Sequence, residues 1–172
     1  MKSKRSSGLR RNSQRQRKYR PEIMLPALRL FIAARNKAVE SGFTDNGGAI
    51  HSVERILDML SVQVCYPHLS HINNLKKHPD AEISVAAYKA RQSGEAVFIE
   101  HVLPQRAYAR RVIDLINRGA ENDAVLAFIK RNYRLVLLTK EEVSRLNKQN
   151  RSRITTDRIA EAGIELRRHR ND

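Results

Sequence analysis

With one cysteine, no tryptophan and aromatic residues at only 5%, this 172-residue chain is defined first by what it lacks. The lone Cys65 rules out an intramolecular disulfide framework and fits a reducing cytoplasm, the localisation expected here. Because apolar residues still make up 41%, the core must be aliphatic, built from Leu, Ile, Val and Ala. No apolar run approaches the roughly 20 residues of a membrane span. The nearest, IMLPALRLFIAAR, is interrupted by Pro26 and Arg29, and no clear small-residue cleavage pattern follows it. No membrane partner is therefore expected, whereas an Arg- and Ser-rich start leaves an organellar presequence open. There is no Gly-rich phosphate loop, since DNGGAI is too short, and no internal repeat.

Acid is also scarce. The chain carries 33 Lys+Arg against 18 Asp+Glu, a net +15. A surplus of that size favours polyanionic partners: nucleic acid first, with DNA favoured over RNA, then anionic membrane or ribosomal RNA. The first 20 residues, MKSKRSSGLRRNSQRQRKYR, contain nine basic residues and no acid, which leaves +6 for the rest. With almost no apolar side chains, residues 1–20 are expected to be a basic arm, disordered when free. Arg10, Arg11, Arg15, Arg17, Lys18 and Arg20 are its candidate phosphate contacts. A solubilising tail is the plainer reading of the same stretch.

Residues 21–172 are expected to form one α+β domain, mostly helical: a helical part at 21–94, a strand-containing part at 95–150 and a basic end at 151–172. Helical spacing runs from Pro21 to about Ser41, where Pro26 is expected to kink or delay the start and Gly42 to end it. A second helix covers about 50–64, and Leu69, Ile72 and Leu75 suggest a short third one. Asp80 offers an N-cap for a helix through about Arg91, closed by Ser93 and Gly94. EAVFIEHVLP then reads as a strand, QRAYARRVIDLINRG and ENDAVLAFIKRN as helices, and YRLVLLT as a second strand. Thr139 with Glu142 three residues on is a capping-box pattern for another helix. A last short helix is expected at about 156–162.

The residues with chemistry stand at the end of the first strand. Glu100 and His101 are adjacent, followed by Val102 and Pro104. Imidazole titrates near neutral pH, so His101 could deprotonate a water. Glu100 could give a divalent cation a hard oxygen ligand. Neighbouring strand residues point to opposite faces, so the two can share a site only where the strand ends or twists.

The order strand, EHVLP, strand, helix resembles the ββα-metal or HNH-type endonucleases over residues 95–150. The resemblance implies a metal-dependent DNA endonuclease hydrolysing phosphodiester bonds, of a restriction, phage or mobile-element kind. In it His101 activates water, Asn132 orients the imidazole, and Glu100 with Asn147 or Glu142 holds Mg²⁺ or Mn²⁺. The chain departs from the pattern in two ways. It lacks the paired cysteines of the zinc-bearing subtype, and Val143 stands where a metal-binding His or Asn is expected. If no other residue supplies that ligand, the protein binds without cutting. A two-helix insertion between the strands is also longer than usual.

Arg106 and Arg110 share a helix face and could clamp a phosphate near His101, with Arg151 and Arg153 on the other side. A solvated helix face is the alternative. Cys65, His68 and His71 lie within reach of one zinc ion by spacing, but Pro67 breaks the local helix and the spacing matches no familiar zinc motif, which argues against such a site. Two rival functions stay open: a non-catalytic basic nucleic-acid-binding protein, such as a repressor or ribosome-associated factor, and a module that holds an acidic protein. The apolar helix at Ile23–Val39 could supply a homodimer interface.

Overall fold

The structure, a computed structural model, describes residues 20–150 and 157–167. The basic arm before Arg20, together with Arg151 and Arg153, lies outside the described residues. The fold is α+β, mostly helical with a small antiparallel sheet. The chain divides into two compact units, each discontinuous in sequence. No helix among the described residues is long and apolar enough to cross a membrane.

The first unit takes in the chain up to Ser70 and returns with Ala109–Arg131. Helix α1, Pro21–Glu40, starts with Pro21 at its first position, where the missing N–H costs nothing. It runs unbroken through Pro26. Packing explains why: Met24, Leu25, Leu28 and Ile32 are buried on one side, against α2 at His51–Cys65. α2 in turn buries Val53, Leu57 and Leu60, each full burial contributing about 2 kcal/mol. Gly42, with φ near +91°, ends α1 in a conformation that a side chain would resist. The later part of α4, Gln105–Asn117, and most of α5, Asn122–Asn132, complete the unit. Arg29 ties α1 to the turn between these helices through Ala120 O at 2.6 Å and Asn122 Oδ1 at 3.0–3.1 Å.

The second unit comprises residues 71–108 and those from Asn132 onward. Strands β1, Phe98–His101, and β2, Leu135–Leu138, pair antiparallel with Glu100 opposite Val136 and His101 opposite Leu135. The other edge of β2 is covered. Leu137 N donates to Glu82 O (2.8 Å) and Ser84 N to Leu137 O (3.0 Å), and the 82–84 segment is bridged in turn by Leu166. This extended pairing displaces the expected helix start at Asp80. The N-cap is Ser84, whose Oγ accepts from Ala87 N at 2.9 Å, and α3 spans Val85–Gln92. Before it, Ile72–Lys77 is a short 3₁₀ helix anchored by the buried Leu75.

Helix α6, Lys140–Asn150, opens with the expected capping box. Thr139 N donates to Glu142 Oε2 at 2.9 Å, and Glu142 N donates to Thr139 Oγ1 at 3.2 Å. Leu146 of α6 joins Val136, Leu138, Ile159, Ala162 and Ile164 in the core, where Ile159 belongs to α7, Arg158–Glu161.

Candidate functional site

Strand alternation sorts the site residues. Val136 and Leu138 face the core under α6 and α7, and Glu100, opposite Val136, stands on that same face. His101 stands on the other. Its ring meets Tyr133 edge-on, with centroids 5.5 Å apart, and Nε2 lies 3.4 Å from the Tyr133 hydroxyl, a long hydrogen bond. Tyr133 is buried and packs on the buried Tyr108 at 5.7 Å. The pair that is adjacent in sequence is therefore divided between two faces, because His101 is still within the ladder.

On the Glu100 face, a residue the sequence gives no reason to single out takes the central place. Arg158 is buried at 5% exposure. Its Nη1 donates to His101 O at 3.0 Å and its Nη2 to Asn147 Oδ1 at 3.4 Å. Burial pushes the Glu100 carboxyl above its usual range, against the attraction of Arg158 and His101. Burial likewise lowers the Arg158 guanidinium, against the attraction of Glu100. Each charge is thus partly desolvated, and neither fully compensates the other.

Of the other expected site residues, Glu142 takes a different part from the one expected. It is buried at 4% exposure and accepts from Thr139 N and, at 2.6 Å, from Ser84 Oγ. Its carboxylate joins the cap of α6 to the cap of α3. Val143, at the position where a metal-binding side chain is expected, packs against the core. Asn147 is exposed one turn later. Asn132 ends α5, and its neighbour Tyr133 carries the hydroxyl that lies 3.4 Å from His101 Nε2.

Glu100 and Asn147 supply oxygens on one face, a guanidinium stands with them, and the His101 imidazole belongs to the other face. Among the described residues, no group of three or more His, Cys, Asp or Glu side chains could hold a metal ion. The Cys65 thiol, half-buried beneath the carbonyl of Ile129, is pushed up to about 11 by burial, with Lys130 acting the other way. His71 is occupied as a cap, its Nδ1 accepting from Asn73 N at 3.1 Å.

The cations also sort differently from the expected clamp. Arg110 directs its Nε to Asp45 at 3.4 Å. Asp45 is buried and held bidentately by Arg35, from Nε at 2.9 Å and Nη2 at 2.7 Å. Those bonds keep the Asp45 carboxyl below its usual range, with Arg110 adding to the effect. Arg106 is half-buried and Arg20 exposed. Tyr133 could have been found from register, since it shares strand parity with Leu135 and Leu137. Arg158 and Asp45 carry no such signal, because their partners, 10 to 65 residues away, lie on other elements and follow no helix or strand period. Compared with known protein families, curated proteins and solved structures, the chain matches none.

Proposed function

We propose that this protein binds nucleic acid, DNA in preference to RNA, by neutralising backbone phosphates. The observation that carries the reading is the charge: +15 over 172 residues, with nine basic residues and no acid in the first 20. Released counterions then supply most of the affinity, and binding is steeply salt-dependent. The unit around β1 and β2 serves in this reading as a scaffold, its Glu100, Asn147 and Arg158 binding one another's elements together.

A second reading, phosphodiester cleavage of the ββα-metal kind, is favoured by the strand–strand–helix order and by Tyr133 holding the imidazole of His101. It requires the Arg158 guanidinium to give way to a cation held by Glu100, so it ranks second.

One experiment separates the two. Binding to a DNA duplex is measured over a salt series, and supercoiled plasmid is incubated with Mg²⁺ or Mn²⁺, using the parent chain and His101→Ala. The expected result is binding that falls by orders of magnitude as salt rises, with the plasmid intact for both proteins. Nicking by the parent that His101→Ala loses while still binding would move the conclusion to the nuclease. Binding that is absent, or insensitive to salt, would remove nucleic acid as the partner.

A further inference from the structure

The charge surplus does not say where a strand of nucleic acid touches the folded part of the chain. One place in the first unit has the chemistry for it. A cleft of about 350 Å³ lies at the end of α1, lined by Arg35, Val39, Phe43, Asp45, Asn46 and Arg110 among others. That volume is in the range of small-ligand sites and admits about one nucleotide.

Its walls combine a cation with an aromatic face. Arg35 and Arg110 share the single carboxylate of Asp45, so the cluster carries one positive charge in excess. The Arg110 side chain is 53% exposed, and with Nε turned to Asp45 its two terminal nitrogens have no partner among the described residues. Arg35 spends three of its five N–H donors, its Nη1 on Asn36 Oδ1 at 3.0 Å and the other two on Asp45, and its side chain is only 18% exposed. Arg110, the more exposed of the two, is therefore the better placed to meet an anion. Asp114 acts on Arg35 but does not line the cleft. Phe43, 52% exposed, is a large apolar side chain left facing solvent beside that guanidinium.

The loop that carries Phe43 is built by its own hydrogen bonds. Phe43 N donates to Ala38 O (2.9 Å), Gly47 N to Thr44 Oγ1 (3.0 Å) and Ala49 N to Thr44 O (3.1 Å). The ring lies over Gly47, where a Cβ would come within 3.2 Å of it. The aromatic face is thus set in place before any ligand arrives, and ordering it costs little on binding.

Resting on the nucleic-acid reading above, we infer that this cleft seats one unpaired nucleotide of a strand. Its phosphate is held by Arg110 and its base stacks on Phe43. Stacking needs a base free of its partner, so the site takes single-stranded or frayed ends in preference to intact duplex.

The test is fluorescence-anisotropy binding of a labelled oligo(dT) single strand and a matched duplex over a salt series. The proteins are the full chain, Phe43→Ala, Phe43→Leu, Arg110→Ala and Arg110→Gln, each checked for a parent-like melt by circular dichroism. The expected result is oligo(dT) affinity roughly tenfold lower in both Phe43 variants, with duplex affinity and salt slope unchanged. Either Arg110 variant should bind oligo(dT) a few-fold more weakly and lose about 0.7 from the log–log salt slope, the share of one single-strand phosphate contact. Parent-like oligo(dT) binding by folded Phe43→Ala and Arg110→Ala would overturn the cleft assignment and leave the nucleic-acid reading standing. Full retention by Phe43→Leu would overturn stacking. Failure of the parent itself to bind either nucleic acid would overturn both.

Discussion

Two of the carboxylates that stand near an arginine, Asp45 and Glu100, respond in opposite directions. In the first unit, Asp45 is clasped at 2.7 and 2.9 Å by the fork of Arg35, and its carboxyl is held low. In the second, Glu100 feels Arg158 only through space, while that guanidinium spends its hydrogen bonds on His101 O and Asn147. Burial then wins, and the Glu100 carboxyl is raised. The same two residue types thus give a stabilising pair in one place and a partly uncompensated one in the other. What decides is whether the hydrogen bonds close between the charges, since these outweigh attraction at a distance.

Removing Arg158 should break the comparison most severely. Arg158→Ala takes a buried cation from between β1, α6 and α7, leaving the His101 carbonyl and Asn147 without its donors. A loss of about 3 kcal/mol is expected in urea unfolding. A loss below about 1 kcal/mol would show that the guanidinium is a bystander.

Asp45→Asn should have a smaller effect, and one that depends on pH. The folded-state pKa is lowered, so the carboxylate contributes stability above its ordinary range and loses it as pH falls through the lowered value. The variant should be less stable than the parent by about 1.5 kcal/mol at neutral pH. The two should converge in acid. A difference that persists at low pH would assign the effect to packing instead of charge.

Glu100→Gln should give the smallest change, with the sign reversed. Its folded-state pKa is raised, so the native state holds the proton more tightly than the unfolded chain. The parent should therefore lose stability as pH climbs from the ordinary carboxylate range to the raised value. The variant should show no such fall over that window when unfolding midpoints are measured across it. A parallel fall in both would trace the pH dependence to another group.

Local signals in the sequence carried the architecture well. Pro21 and Gly42 bracket α1, Gly94 and Gly119 follow α3 and α4, and the capping box at Thr139 and Glu142 opens α6 where expected. Each depends on residues only a few positions apart. Signals failed where a distant segment intervenes. Asp80 and Ser84 are both good N-caps, and the choice falls to Ser84 because residues 82–84 are held extended along β2. Glu142 reads equally well as a cap and as a metal ligand, until Ser84 adds a bond from across the unit. Of the candidate site, the Glu–His pair and Asn147 were legible, but their division between two faces followed from how far the ladder runs. Arg158 was illegible for the same reason as Asp45: its partners are set by tertiary contact alone.

The sealing of β2 also fixes an order of assembly. The first unit needs nothing beyond Arg131, whereas the second includes Leu166 bridging Ser84 and Ile164 in its core. During synthesis the first unit can close while β2 still awaits the residues that line both it and the 82–84 segment. Pairings this distant in sequence form slowly. The aliphatic strand LVLL of β2, buried at every position once folded, therefore stays open on the Val136 and Leu138 side until about Ile164 is made, and is a stretch on which a chaperone would act.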